Sequence, residues 1–91
     1  MTALLQRRYN VGDELDAAVI SVEEPILTER DWRCSYSIEI GGELTKSDVS
    51  GVDKLQSLTL ALRKLAAELI YLSEECGYRL TWMGDSRLDL I

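Results

Sequence analysis

Ninety-one residues, 46% hydrophobic and 29% charged, make one domain (1–91) with a single core, too apolar for a disordered chain. Ten bases stand against sixteen acids, giving a net charge of −6 with no histidine. That balance disfavours direct nucleic-acid contact, and the missing imidazole removes Ser-His and Cys-His nucleophile pairs and the commonest metal ligand.

The start, Met1 to Arg8, lacks a basic region followed by a long apolar run, so it does not read as a signal peptide. No apolar run approaches the roughly 20 residues that span a bilayer. The expectation is a cytoplasmic protein that touches no membrane. Residues 4–9 and 16–23 read as two strands flanking the turn-rich Asn10-Val-Gly-Asp13. In that hairpin Arg7 and Arg8 are expected to meet Glu14 or Asp16. Pro25 then breaks the second strand.

Within this region lies the chain's whole charge imbalance. Asp13, Glu14, Asp16, Glu23, Glu24 and Glu29 stand in a stretch with no Lys or Arg, and the remaining ten acids match the ten bases. A local anionic field attracts something cationic, here a basic protein. Asp16 and Glu23 would sit about 23 Å apart on an extended strand, so one patch requires Glu39 or Glu43 to fill the gap.

Trp32 to Ile40 alternates without a fault. Trp32, Cys34, Tyr36, Ile38 and Ile40 face one way; Arg33, Ser35, Ser37 and Glu39 face the other. Period two over nine residues predicts a strand with one buried face. Gly41-Gly42 predicts a hairpin into a weaker edge strand over 43–47.

From Ser50 to Cys76, Leu55, Leu58, Leu62, Leu65, Leu69 and Leu72 recur at helical spacing. Ser50 is the expected cap, Asp53 lies near the positive end of the dipole, and Gly77 suits a left-handed stop. Tyr78, Leu80 and Trp82 then alternate as a short last strand. The fold class is α+β: a mainly antiparallel sheet, β-β-β-β-α-β, with one long amphipathic helix on one face. Cys34 and Cys76 match no zinc or redox spacing and are expected reduced and mostly buried.

The run Gly51-Val-Asp53-Lys-Leu-Gln56-Ser-Leu58-Thr-Leu60-Ala-Leu62, followed by Leu80-Thr-Trp82-Met-Gly84 and preceded by Asp31-Trp32-Arg33-Cys34-Ser-Tyr36, resembles a family of small bacterial domains of unknown function. The resemblance implies an α+β fold and carries over no catalytic residue. The tail, Ser86 to Ile91, departs from the family's Gly-rich ending.

Chemistry is sparse. Ser50-Gly51 has neither the spacing nor the lysine of a phosphate-gripping loop, and Asp13-Glu14-Leu-Asp16 lacks the full ligand set of a calcium loop. No metal or other cofactor is expected, and no enzyme. The expected function is a small acidic protein-binding module that inhibits a basic nucleic-acid-acting protein, as an immunity protein to a toxin nuclease or a phage-encoded CRISPR-effector inhibitor does. Its expected contacts are the six acids from Asp13 to Glu29. A second candidate surface, opposite the leucine stripe, carries Leu60, Ala67 and Tyr71 with Lys64 among them. The tail residues Leu88, Leu90 and Ile91 could cover it, or it could serve a homodimeric assembly domain, the alternative reading.

Overall fold

The alternating segment Trp32–Ile40 is the sheet's organising strand, paired along both sides. A computed structural model describes residues 4–81. Its elements are β1 (Leu5–Val11), β2 (Glu14–Val22), β3 (Ile26–Leu27), β4 (Trp32–Ile40), β5 (Glu43–Gly51), α1 (Lys54–Glu74) and β6 (Leu80–Thr81). β5 lies on one side of β4 and β2 on the other, followed outward by β1 and β6, and every pairing is antiparallel. The expected α+β architecture holds, with one short strand more than the sequence indicates.

That extra strand comes from Pro25. Partner numbers of β2 and β4 sum to 58 (Val22↔Tyr36), those of β3 and β4 to 59 (Ile26↔Arg33). One residue has been inserted at Glu23-Glu24-Pro25, so β3 resumes the same side of β4 after a bulge. A second irregularity lies in the first hairpin. One residue separates Tyr9 from Val11, whereas three separate their partners Ala18 and Glu14. The slack is taken up at Asp16, which adopts φ 54 and donates its N–H to Asn10 Oδ1 at 2.9 Å. The register sets Arg7 and Arg8 opposite Ile20 and Val19, rather than the expected Glu14 or Asp16.

One face of the sheet buries Tyr9, Ala18, Ile20, Val22, Cys34, Tyr36, Ile38 and Ile40, and α1 covers it over β4 and β5. The opposite face carries Ser21, Ser37, Lys46 and Glu39 to solvent, as one-sided antiparallel sheets do. Trp32 is only half-buried, with the Lys54 ammonium 5.9 Å from its ring centroid.

The helix begins later than Ser50. β5 continues to Gly51, and Asp53 is the cap, accepting from the Gln56 N–H at 2.7 Å. The Gln56 side chain reaches back to accept from the Val52 N–H at 2.7 Å, a variant of the reciprocal capping box. At the far end Gly77 takes φ 78, and the Tyr78 N–H returns to the Leu72 carbonyl, so the expected left-handed stop is present. The buried stripe is rotated from the leucine repeat. Ser57, Ala61, Leu65 and Leu69 are buried, Leu58, Leu62 and Leu72 flank them, and Leu55 is 72% exposed. Small residues occupy the stripe's first half because the backbone there lies directly on the sheet. A Cβ on Gly51 would stand 2.5 Å from the Ser57 nitrogen.

Gly51→Ala should therefore cost about 1–3 kcal/mol, since backbone must yield to the new methyl, and Asp53→Ala about 1 kcal/mol. Urea unfolding measures both. A Gly51→Ala protein as stable as the parent would mean that the helix start is free to lift.

Candidate functional site

The strand register settles which charges share an end of the molecule. Ile40 pairs with both Ala18 and Glu43, so the β1–β2 turn and the β4–β5 turn project from the same end of the sheet. α1 runs back along β5 from Gly51, bringing its C-terminus to that end, and the Gly12 N–H donates to the Arg79 carbonyl just beyond. Asp13, Glu14 and Asp16 thus lie toward the same end of the sheet as Glu43, Glu74 and Glu75, all exposed, and Arg79 follows the helix there. No base occupies the last helical turn. Carboxylates at a helix C-terminus meet the negative end of the dipole, which is locally unfavourable.

The other half of the acidic segment goes elsewhere. Glu23 and Glu24 sit at the bulge near the opposite end of β2, and Glu29 in the exposed loop after β3. Glu23 lies 4.0 Å from Lys46 and Glu24 2.9 Å from Lys54. The structure therefore brings Asp13, Glu14 and Asp16 together and separates them from Glu23, Glu24 and Glu29. Of the fillers named from sequence, Glu43 joins the first group. Glu74 and Glu75 were missed. The signal for them was the helix direction, which returns its acidic end to the first turn.

The same end holds a cleft of about 270 Å³. Its floor is Ile38 and Ile40, its β5 side Glu43 and Thr45, its helix side Glu68, Tyr71 and Leu72, and Tyr78 closes it. That volume falls just under the roughly 300–1,000 Å³ of small-molecule pockets and suits a single long side chain. The buried Tyr36 hydroxyl donates to Glu68 Oε1 at 2.8 Å, fixing a carboxylate in the cleft wall. Burial, with the Glu68 bond second, pushes the Tyr36 phenol up to about 12. Burial also raises the Cys34 thiol, helped by the charge of Glu23, and its Sγ lies 3.5 Å from the Glu23 carbonyl. Both groups are held in their neutral, unreactive forms.

Cys76 is exposed, contrary to the expectation that both thiols are buried. Leu60, Lys64, Ala67 and Tyr71 are exposed too. They lie along the flank that faces β5 rather than opposite the core stripe, because Tyr71 shares the cleft with Glu43 and Thr45. Leu88, Leu90 and Ile91, like Trp82 and Gly84, are outside the described residues. Among the described residues, no group of three or more acids or thiols is placed to hold a metal, and no helix is long and apolar enough to cross a membrane.

Because an unfolded tyrosine ionises near pH 10 and Tyr36 keeps its proton to about 12, its contribution to stability is complete below pH ~10 and lost as the pH climbs to about 12. Tyr36→Phe should cost about 1 kcal/mol at neutral pH and flatten this alkaline decline in denaturation midpoints. An unchanged decline would assign it to another group.

Residues 5–90 match a family model described as a domain of unknown function, DUF6968. No curated protein and no solved structure matches the chain.

Proposed function

We propose that this chain, which belongs to that family of domains of unknown function, is a non-enzymatic module that docks a basic protein on its acidic end. The carrying observation is the coincidence of that end with the cleft. A hollow of side-chain size whose walls hold Glu43 and Glu68 opens at the end of the sheet toward which Asp13, Glu14, Asp16, Glu74 and Glu75 also lie. A lysine or arginine of the partner would lay its aliphatic stem on Ile38, Ile40 and Leu72 and present its charge to the carboxylates, with Tyr71 and Tyr78 supplying aromatic faces. The acids at that end would speed encounter and reject anionic surfaces more than they add affinity. Acids crowded at a helix terminus that disfavours them are the kind of local conflict that functional surfaces retain.

The non-enzymatic reading rests on the absence of histidine from the sequence and on the upward displacement of Tyr36 and Cys34, away from nucleophilic use. A partner that holds nucleic acid on its cationic surface would be blocked by this contact. An immunity protein against a toxin nuclease and a phage-encoded CRISPR-effector inhibitor are two forms of that role. The two free cysteines suit a reducing compartment such as the cytoplasm.

The test is a pair of charge reversals, measured by stopped-flow association with the partner captured from the native host. Asp13→Lys with Glu14→Lys should slow association by about tenfold at low salt and flatten its salt dependence. Glu23→Lys with Glu24→Lys, whose carboxylates already face lysines, should do less. Equal effects from the two pairs, or none from the first, would end the proposal.

A further inference from the structure

Among the described residues, β5 is paired only through β4, leaving nine residues of strand edge open. Gly41 and Gly42 have φ 59 and 85, a two-residue turn with both positions left-handed, and it is flanked by the pair Ile40↔Glu43. In such a hairpin the flanking pair exchanges both hydrogen bonds. Counting on by twos, Glu43, Thr45, Ser47, Val49 and Gly51 bond to β4, whereas Leu44, Lys46, Asp48 and Ser50 turn their N–H and C=O groups outward. An independent contact fixes the same phase. The Ser35 carbonyl accepts from the Glu23 N–H at 2.9 Å, so odd residues of β4 point toward β2 and even ones toward β5.

We infer that β5 pairs antiparallel with β5 of a second copy of this chain, about a two-fold axis at Ser47. Pairing the outward groups of two such edges requires even residues opposite even residues. Three central registers satisfy this. Two set like charges together, Lys46 on Lys46 or Asp48 on Asp48. The third sets Lys46 opposite Asp48 of the second copy, twice by symmetry, with Leu44 opposite Ser50 and Thr45 opposite Val49. Like charges directly opposite are destabilising and opposite charges favourable, so charge favours the third register, in which Lys46 and Asp48 would add a partner across the seam to Glu23 and Arg33, each 4.0 Å away within its own copy.

The helix carries a matching symmetry. Leu60, Lys64, Ala67 and Tyr71 are spaced 4, 3 and 4 along the flank that faces the β5 edge. Reversed onto itself, that spacing sets Leu60 against Tyr71 and Lys64 against Ala67, with its centre between residues 65 and 66. The two centres lie at the same level along the strand. From the contact of Ser57 with Gly51, the helix needs about 13 Å at 1.5 Å per residue to reach its centre, and the strand about 13 Å at 3.3 Å per residue to reach Ser47. With α1 lying over β4 and β5, the two helix axes would run antiparallel about 10 Å apart, close to a normal packing distance. The interface is self-complementary in both layers, as a two-fold contact must be. Sheet continuation supplies the main-chain bonds, and Leu60, 37% exposed, and Tyr71, 59% exposed, gain apolar cover.

Sedimentation equilibrium of the full chain tests this without any partner protein. The expected result is a species of twice the 10.3 kDa chain mass. Lys46→Asp alone and Asp48→Lys alone should each weaken the dimer at least about tenfold, and the two together should restore it, because the swap rebuilds the same pairs. Leu60→Asp should dissociate it while leaving the circular dichroism of the folded chain unchanged. A monomer at the highest soluble concentration overturns the inference. A dimer that survives the single swaps, or that the double swap does not restore, overturns the register. Tyr71 borders both the cleft and this seam, and the acidic turn separates the two readings: Asp13→Lys with Glu14→Lys should leave the mass unchanged.

Discussion

The contact between Gly51 and Ser57 is the constraint on which the rest of the molecule turns. A helix resting on a sheet through full-sized side chains stands about 10 Å away. Here the last residue of the edge strand has no side chain, and the helix backbone comes down onto it. That pins one end of α1 over β5, and the direction of the chain does the rest. The helix must return along the strand it has just left, so its C-terminus arrives beside the β4–β5 turn. Both the cleft and the exposed helix flank inherit their positions from this single close approach. The Asp53 cap and the Gln56 side chain hold the same corner from the helix side.

The two ends of the molecule differ electrostatically for the same reason. Near the helix start, acids find bases: Glu24 meets Lys54, Glu23 approaches Lys46, and Asp48 approaches Arg33. These pairs are exposed, or half-buried at Glu23, and contribute little to stability, about 0–1 kcal/mol each, but they cancel the field locally. Toward the other end lie the carboxylates of the first turn, of β5 and of the helix terminus, and the helix dipole adds to their sign rather than opposing it. The two ends of the sheet therefore differ in how far their acids are paired, an arrangement that a net charge of −6 does not by itself reveal.

Much of the fold was legible in the sequence because the elements involved satisfy local rules. The fault-free alternation of Trp32–Ile40, the Gly41-Gly42 turn, the long apolar helix and the Gly77 stop each follow from period or backbone freedom. What was not legible depends on contacts between distant residues. Leucines alone could not show that Ser57 and Ala61 would take the innermost positions, because only the descent onto Gly51 makes small residues necessary there. Leu55 repeats in phase with the other leucines yet falls outside the contact. Nor could the acidic run show its own division, since β2 carries its two halves to opposite ends of the sheet. The Pro25 bulge was read correctly as an interruption, but resumption of pairing by Ile26 and Leu27 depends on β4 being available alongside. The pairing of the exposed helix flank with the edge strand appears only once the two are seen side by side.

The two cysteines occupy opposite extremes of accessibility, Cys34 within the sheet's covered face and Cys76 just past the helix. Their chemistry separates accordingly. A thiol-directed reagent meets one sulfur readily in the native chain and reaches the other only when the sheet opens, so the ratio of singly to doubly modified molecules becomes a clock for global unfolding. The accessible sulfur also stands beside the anionic end, where a dye attached to it would sense the arrival of a cationic surface without any residue being added.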